Sequence, residues 1–163
     1  MKRKVIKFPN PILKKKTKSI ARVTPRVIQL INDMFETMYA APGIGLAAPQ
    51  VGESIKVIVM DLGDSPIALI NPRIVRHSGQ QTFTEGCLSL PGIEGPVERA
   101  AKVVAKGLNR QGKMVWLEAE GLLATCLQHE IDHLNGHVFI DRISDPSLIQ
   151  YVPFEKEPKE ELL

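Results

Sequence analysis

Residues 120–136 read EGLLATCLQHEIDHLNG, and the rest of the chain has to pack around this stretch. Leu122, Leu123, Cys126, Leu127, Ile131 and Leu134 recur at helical spacing, which predicts one largely buried helix. Gly136 stands where a left-handed residue closes a helix. Residues four apart share a helix face about one turn apart, so His129 and His133 can turn ring nitrogens toward a common point. That point suits a metal ion. Glu130 is rotated about 100° from His129, which sets its carboxylate beside such an ion, over a bound water, rather than on it. The competing reading is a core in which these three side chains only hydrogen-bond, because HExxH also occurs without metal.

Composition bounds what the site can serve. With 163 residues, 44% hydrophobic and 24% charged, the chain suits a single globular domain spanning 1–163 with its own core. Aromatic residues make up only 5%, so aliphatic side chains must do most of the packing. The net charge is +3, but residues 1–18 hold eight Lys or Arg and no acid, while the last nine residues hold four Glu against two Lys. A basic arm of this kind either touches RNA or an acidic surface, or is simply solvated, and the second is commoner. No specific nucleic-acid partner is expected. MKRKVIKFP meets Pro9 and Pro11 before an apolar signal segment can form, and no run approaches the length of a membrane span. A cytoplasmic protein without a membrane partner is therefore expected. Cys87 and Cys126 form no CxxC pair and are read as reduced thiols.

Along the chain, residues 1–23 are broken by prolines and predict extended or turn-like segments. Thr24 caps a second helix with Pro25 in its first turn. Its apolar stripe is Val27, Leu30, Ile31, Met34, Phe35 and Met38, with Arg26, Asp33 and Glu36 expected to face out. GIGLAAPQVG from Gly43 lacks both the dinucleotide and the phosphate-loop patterns, although small residues let another chain come close. Gln50 is its one polar side chain able to reach a ligand oxygen. Strands are expected at 55–61, 66–71, near 80–85, 97–106 and 113–119, the last two joined by a turn at Asn109 to Gly112. The fold class is therefore α+β, with mainly antiparallel strands packed around the central metal-binding helix and a second helix near the N-terminus.

Between those strands sits EGCLSLPG, residues 85–92. Cys87 is the natural third ligand, since a thiolate binds borderline metals and a metal keeps it deprotonated. Two His, one Cys and an open position describe a catalytic rather than a closed structural site. The plainer alternative is a buried inert thiol. Leu122, Thr125, Cys126 and His129 share a helix face, so with Ile44 and Leu88 they are candidates for a pocket wall. Asp132 is rotated away from the histidines and is expected to pair with Arg99, with Glu85 joining them or holding a ligand histidine.

GIGLAAPQ, EGCLS and QHEIDHLNG together resemble the three motifs of the peptide deformylase family, in the same order, over residues 5–143. The resemblance implies that Cys87, His129 and His133 hold one divalent ion, Fe²⁺ in the cell and Zn²⁺ often in purified protein. It also implies that Glu130 is the general acid/base and that Gln50 and the Leu88 N–H stabilise an oxyanion. Ile44, Gly45 and Gly86 would pair with the substrate backbone. The implied activity is hydrolysis of the N-formyl group from N-formylmethionyl peptides of new proteins, releasing formate. A divalent ion lowers the pKa of water from 15.7 to about 7, which supplies a hydroxide at cytosolic pH.

Two features depart from the family pattern. Glu94, in the expected turn PGIEGP, stands where many relatives carry a basic residue. Residues 143–163, with Pro146, Pro153, Pro158 and an acidic end, predict a non-helical tail instead of a long basic helix. Transient ribosome contact would then not run through a basic C-terminal helix. The rival classes are a zinc endopeptidase and a metal-stabilised peptide-binding module. The extended endopeptidase motif needs a histidine where Phe139 stands, and a purely structural site needs no general base.

Overall fold

The computed structural model describes residues 1–63 and 65–153. Helix α1 runs Pro25–Ala40, and the Thr24 side chain accepts from the Val27 N–H at 3.3 Å to cap it. Strands β1 (Gly45–Ala47), β2 (Val57–Met60) and β3 (Ile67–Ser78) follow. After them come β4 (Gln81–Cys87), β5 (Leu90–Arg99), β6 (Lys102–Leu108) and β7 (Met114–Glu120). Helix α2 (Gly121–Leu134) and the two-residue β8 (Gln150–Tyr151) complete the elements. One sheet has the order β1-β2-β3-β6-β7 and the other β4-β5-β8, so β1 and β4 are each an edge. All the strand pairs are antiparallel, which makes the fold α+β as expected.

The apolar run VIVM of β2 is fully buried because the five-stranded sheet is covered on both faces there. Successive side chains alternate in direction: Val57 and Val59 pack with Met34 and Met38 of α1, while Ile58 and Met60 pack with Leu127 and Ile131 of α2. Each such side chain removed from water contributes about 2 kcal/mol. A third, smaller cluster of Leu90, Val97, Val138 and Phe139 lies beneath the β4–β5 hairpin. Helix α2 is thereby held between the two sheets.

Several expectations are corrected. The predicted strand 97–106 is two strands in different sheets, broken at Ala100 and Ala101, with no Gly or Pro to mark the break. Residues 85–92 are not a connecting loop: Glu85, Gly86 and Cys87 end β4, Leu90 starts β5, and only Leu88 and Ser89 turn between them. PGIEGP lies within β5. Gly45–Ala47, read only as small residues, forms β1 because its backbone pairs with Ile58 to Met60. Asp33 is buried, not outward, because the N-terminal segment crosses α1 and Arg3 donates to it at 3.1 Å. After Ile143 the chain forms a 3₁₀ turn at Pro146–Leu148 and then β8, while the acidic end at 154–163 lies outside the described residues. No described helix is long and apolar enough to cross a membrane.

Candidate metal centre

Helix α2 presents His129 and His133 one turn apart, with ring centroids separated by 5.1 Å. Gly136, at φ 80°, lets the chain leave the helix where a Cβ would collide with the Lys14 backbone. The β4 end brings Cys87 over the helix, and its Sγ lies 3.4 Å from His133 Nε2. One ligand atom from each of Cys87, His129 and His133 falls within 4.8 Å of the others. Ligand bonds of about 2.3 Å to sulfur and about 2.05 Å to nitrogen put tetrahedral S···N separations near about 3.6 Å. The observed cluster has that scale.

The two imidazoles differ in their readiness for an ion: His129 has a proton to give up on binding one, and His133 does not. His129 Nδ1 bonds Glu85 Oε1 at 2.8 Å, so when it donates there Nε2 keeps its lone pair. Burial depresses the His129 pKa, but the Glu130 charge and the bonds to Cys87 and Glu85 outweigh it and hold the ring well above its usual range. Burial, then the charge of His129, push His133 down to about 3, leaving it neutral and able to donate a lone pair. Among the described residues, the buried side-chain polar atoms without a hydrogen-bond partner are His133 Nδ1 and Glu130 Oε1, both in this cluster. A cysteine sulfur and two imidazoles, converging beside an unpartnered carboxylate oxygen, fit a divalent ion of borderline softness.

Glu130 is buried, and burial is the main reason its pKa rises to about 7. Gly45 of β1 lies directly against it: a Cβ there would stand 3.0 Å from Glu130 Cδ, 2.9 Å from Cys126 Sγ, and closer still to Glu130 Oε2. Gln50 sits on the 3₁₀ turn Ala48–Val51 and is 1% exposed. Its Oε1 accepts from the Ala47 N–H at 2.9 Å, which orients its NH₂ to donate to Ser89 Oγ at 3.0 Å and to lie 3.5 Å from Cys87 Sγ. The backbone bond accounts for one end of the amide, and the other end faces the cluster.

A chain of charges backs the histidines. Arg99 at the end of β5 donates to Glu85 at 2.6 and 3.0 Å and to Asp132 at 2.9 Å. Asp132 also accepts from Arg142 at 2.9 and 3.1 Å. Burial alone would raise Glu85, but hydrogen bonds from His129 and Arg99 outweigh it and keep the carboxyl below its ordinary value. The expected pairing of Asp132 with Arg99 is present, and Glu85 does both things foreseen for it.

Ile44, Gly45, Gly86, Leu88, Leu122, Thr125 and Cys126 all line one cleft of 1050 Å³ together with Cys87, His129 and Glu130. Ile44 and Leu122 are each 45% exposed there. Thr125 and Cys126 are buried in its wall, and burial pushes the Cys126 thiol well up, so it stays protonated. Four contributors were not foreseen. Gln81 donates to Thr125 Oγ1 at 2.9 Å, Ser89 receives Gln50, Arg142 braces Asp132, and Phe139 stacks on the His129 ring at 6.1 Å. Of these, only Phe139 offered a signal, as an aromatic closely following the histidine helix.

Comparison with known proteins agrees with this geometry. Residues 2–148 match the family model described as Polypeptide deformylase. The chain is 52% identical over 139 residues to the peptide deformylase of Carboxydothermus hydrogenoformans, covering 85% of this chain and 91% of that one. It superposes on the crystal structure of a peptide deformylase from Legionella pneumophila with a TM-score of 0.86 and 47% identity, covering 88% of this chain and 87% of that one. For the Thermotoga maritima peptide deformylase the TM-score is 0.87 at 42% identity, with coverages of 89% and 99%. A match over most of the chain's length, carried by the same α+β fold, places this chain in the polypeptide deformylase family of metal-dependent hydrolases.

Proposed function

We propose that this chain hydrolyses the N-formyl group of N-formylmethionyl peptides of newly made proteins, releasing formate and a free amine. The observation that carries the reading is the convergence of Cys87, His129 and His133 beside the unpartnered carboxylate oxygen of Glu130. When bound by those three residues, a divalent ion supplies Lewis-acid polarisation and acidifies water toward neutral pH. Fe²⁺ in the cell, with Zn²⁺ in purified protein, is the assignment that the family resemblance supports.

The remaining steps belong to the chain's own groups. Glu130, with a pKa raised to about 7 by burial, takes a proton from water as its oxygen attacks the formyl carbon. The Gln50 NH₂ and the Leu88 N–H donate to the oxyanion that develops, and one such donor is worth about 3 kcal/mol. The C–N bond then breaks, and Glu130 returns its proton to the leaving amine. Ile44, Gly45 and Gly86 offer backbone groups to the peptide, and Ile44, Leu88, Leu122, Thr125 and Cys126 wall a pocket for the methionine side chain.

Residues 1–163 serve as one catalytic domain in this reading, because the ion-pair chain through Arg99 ties helix and second sheet into a single site. Its workplace is the cytoplasm, where formylated chains emerge, and ribosome contact is transient and not made by a basic C-terminal helix. The test is formate release from formyl-Met-Ala-Ser under anaerobic conditions with metal analysis. Wild type should release formate and Glu130→Gln should lose activity by at least about 10²-fold while keeping its metal. Equal rates would remove Glu130 from the chemistry, and internal cleavage of an unformylated peptide would establish an endopeptidase instead.

A further inference from the structure

The catalytic cleft carries charges of both signs in its lining. Lys2, Lys4 and Lys7 of the N-terminal segment line it, and Glu94 of β5 lines it as well. The three lysines are exposed, and among the described residues none forms an ion pair. Arg3 between them is already committed to Asp33 at 3.1 Å and Glu53 at 3.4 Å. Nor is the segment a loose solvated arm. Its backbone is fixed by Arg3 N to Thr37 Oγ1 at 2.8 Å, Ile6 N to the Gln50 carbonyl at 2.7 Å and Phe8 N to the Ser89 carbonyl at 2.8 Å. Lys7 Nζ donates to the Leu88 carbonyl at 3.0 Å, which pins one ammonium beside the turn that flanks the metal ligands.

We propose, resting on the deformylase reading, that this lysine wall selects formylated peptides bearing acidic side chains downstream of the methionine. Three exposed ammoniums, one of them held by the Leu88 carbonyl, and one carboxylate line the cleft that takes the peptide in that reading. Each exposed lysine–carboxylate contact favours binding about two- to fivefold, so an acidic pair of residues gains about fivefold over a basic pair once repulsion by Glu94 is counted. The contacts lie away from the reacting carbon and are equal in ground and transition states, so the effect falls on KM and leaves kcat alone. Because the charges are exposed, salt screens it.

The experiment compares kcat/KM of the metal-loaded enzyme on formyl-Met-Ala-Asp-Asp and formyl-Met-Ala-Lys-Lys at about 25 mM and about 0.5 M NaCl. It repeats the comparison with the Lys2→Glu/Lys4→Glu double variant. The expected result is an acidic preference of about fivefold at low salt, expressed in KM, lost at high salt and reversed in the double variant. Equal rates, a basic preference, or an acidic preference that salt leaves untouched would overturn the proposal while leaving deformylation standing. Formate from neither peptide would overturn the deformylase reading itself. If the double variant fails to fold, the wild-type salt comparison decides alone.

Discussion

Replacing Gly45 by alanine adds one methyl group at the point where β1 touches α2, and the consequence follows from the surrounding atoms. That carbon would stand 3.0 Å from Glu130 Cδ and 2.9 Å from Cys126 Sγ, with Glu130 Oε2 nearer than either. Both neighbours are buried on one helix, and the strand is paired in register with Met60, so neither side has room to yield cheaply. Restoring ordinary contact moves the Glu130 carboxylate by about 1 Å. A displacement of that size in a catalytic group lowers turnover by about 10²-fold, or about 2.7 kcal/mol. None of the close contacts involves Cys87, His129 or His133, so the metal should be retained. Steady-state kcat on formyl-Met-Ala-Ser, with metal content per chain measured on the same sample, tests this. Wild-type kcat in a fully metallated Gly45→Ala protein would refute the reasoning, as would a loss wholly explained by missing metal.

Glu85→Gln should weaken metal binding by about 10- to 100-fold in a chelator competition, because Oε1 accepts from His129 and Arg99 while Oε2 accepts from the Arg99 Nε–H, and an amide replaces one of those acceptors with an NH₂ that can only donate. Affinity within twofold of wild type would contradict it. Arg99→Met leaves Glu85 and Asp132 buried without their shared cation and should cost about 3–5 kcal/mol in urea unfolding, against less than about 1 kcal/mol if the network is idle. Burial raises the Asp132 carboxyl, but bonds from Arg142 and Arg99 outweigh it and hold it below its ordinary 3.8. Its stabilising effect is therefore complete above that value and is lost as pH falls through the folded value, so the stability gap between wild type and Asp132→Asn should narrow from about pH 5 downward. A gap that stays constant to about pH 3 would show that Asp132 does not titrate in this way.

How much of this is legible in the sequence depends on the distance over which each feature is decided. Helix α2 and its two aligned imidazoles follow from local periodicity, as do the Thr24 cap and the stripe of α1. The resemblance to a known family carries Cys87 and Gln50, which no local pattern could join to a helix so much later in the chain. The break between β5 and β6 is silent because VERAAKVVA has continuous strand character, and only the pairing partners of Arg99 and Lys102 separate two sheets. Asp33 lies on a helix face that would be solvent-exposed but for a distant segment laid across it. Arg142, Gln81 and Ser89 act through one or two side-chain hydrogen bonds to residues on other elements, and such contacts leave no periodic trace.

The two open sheet edges have one more implication. β1 ends one sheet, β4 ends the other, and residues of both border the same cleft. An extended guest lying there would act as a borrowed strand, stitching the halves together through amide and carbonyl groups that every polypeptide has. Recognition written in the main chain is blind to spelling, so any preference among guests has to come from the side chains along the walls of the cleft.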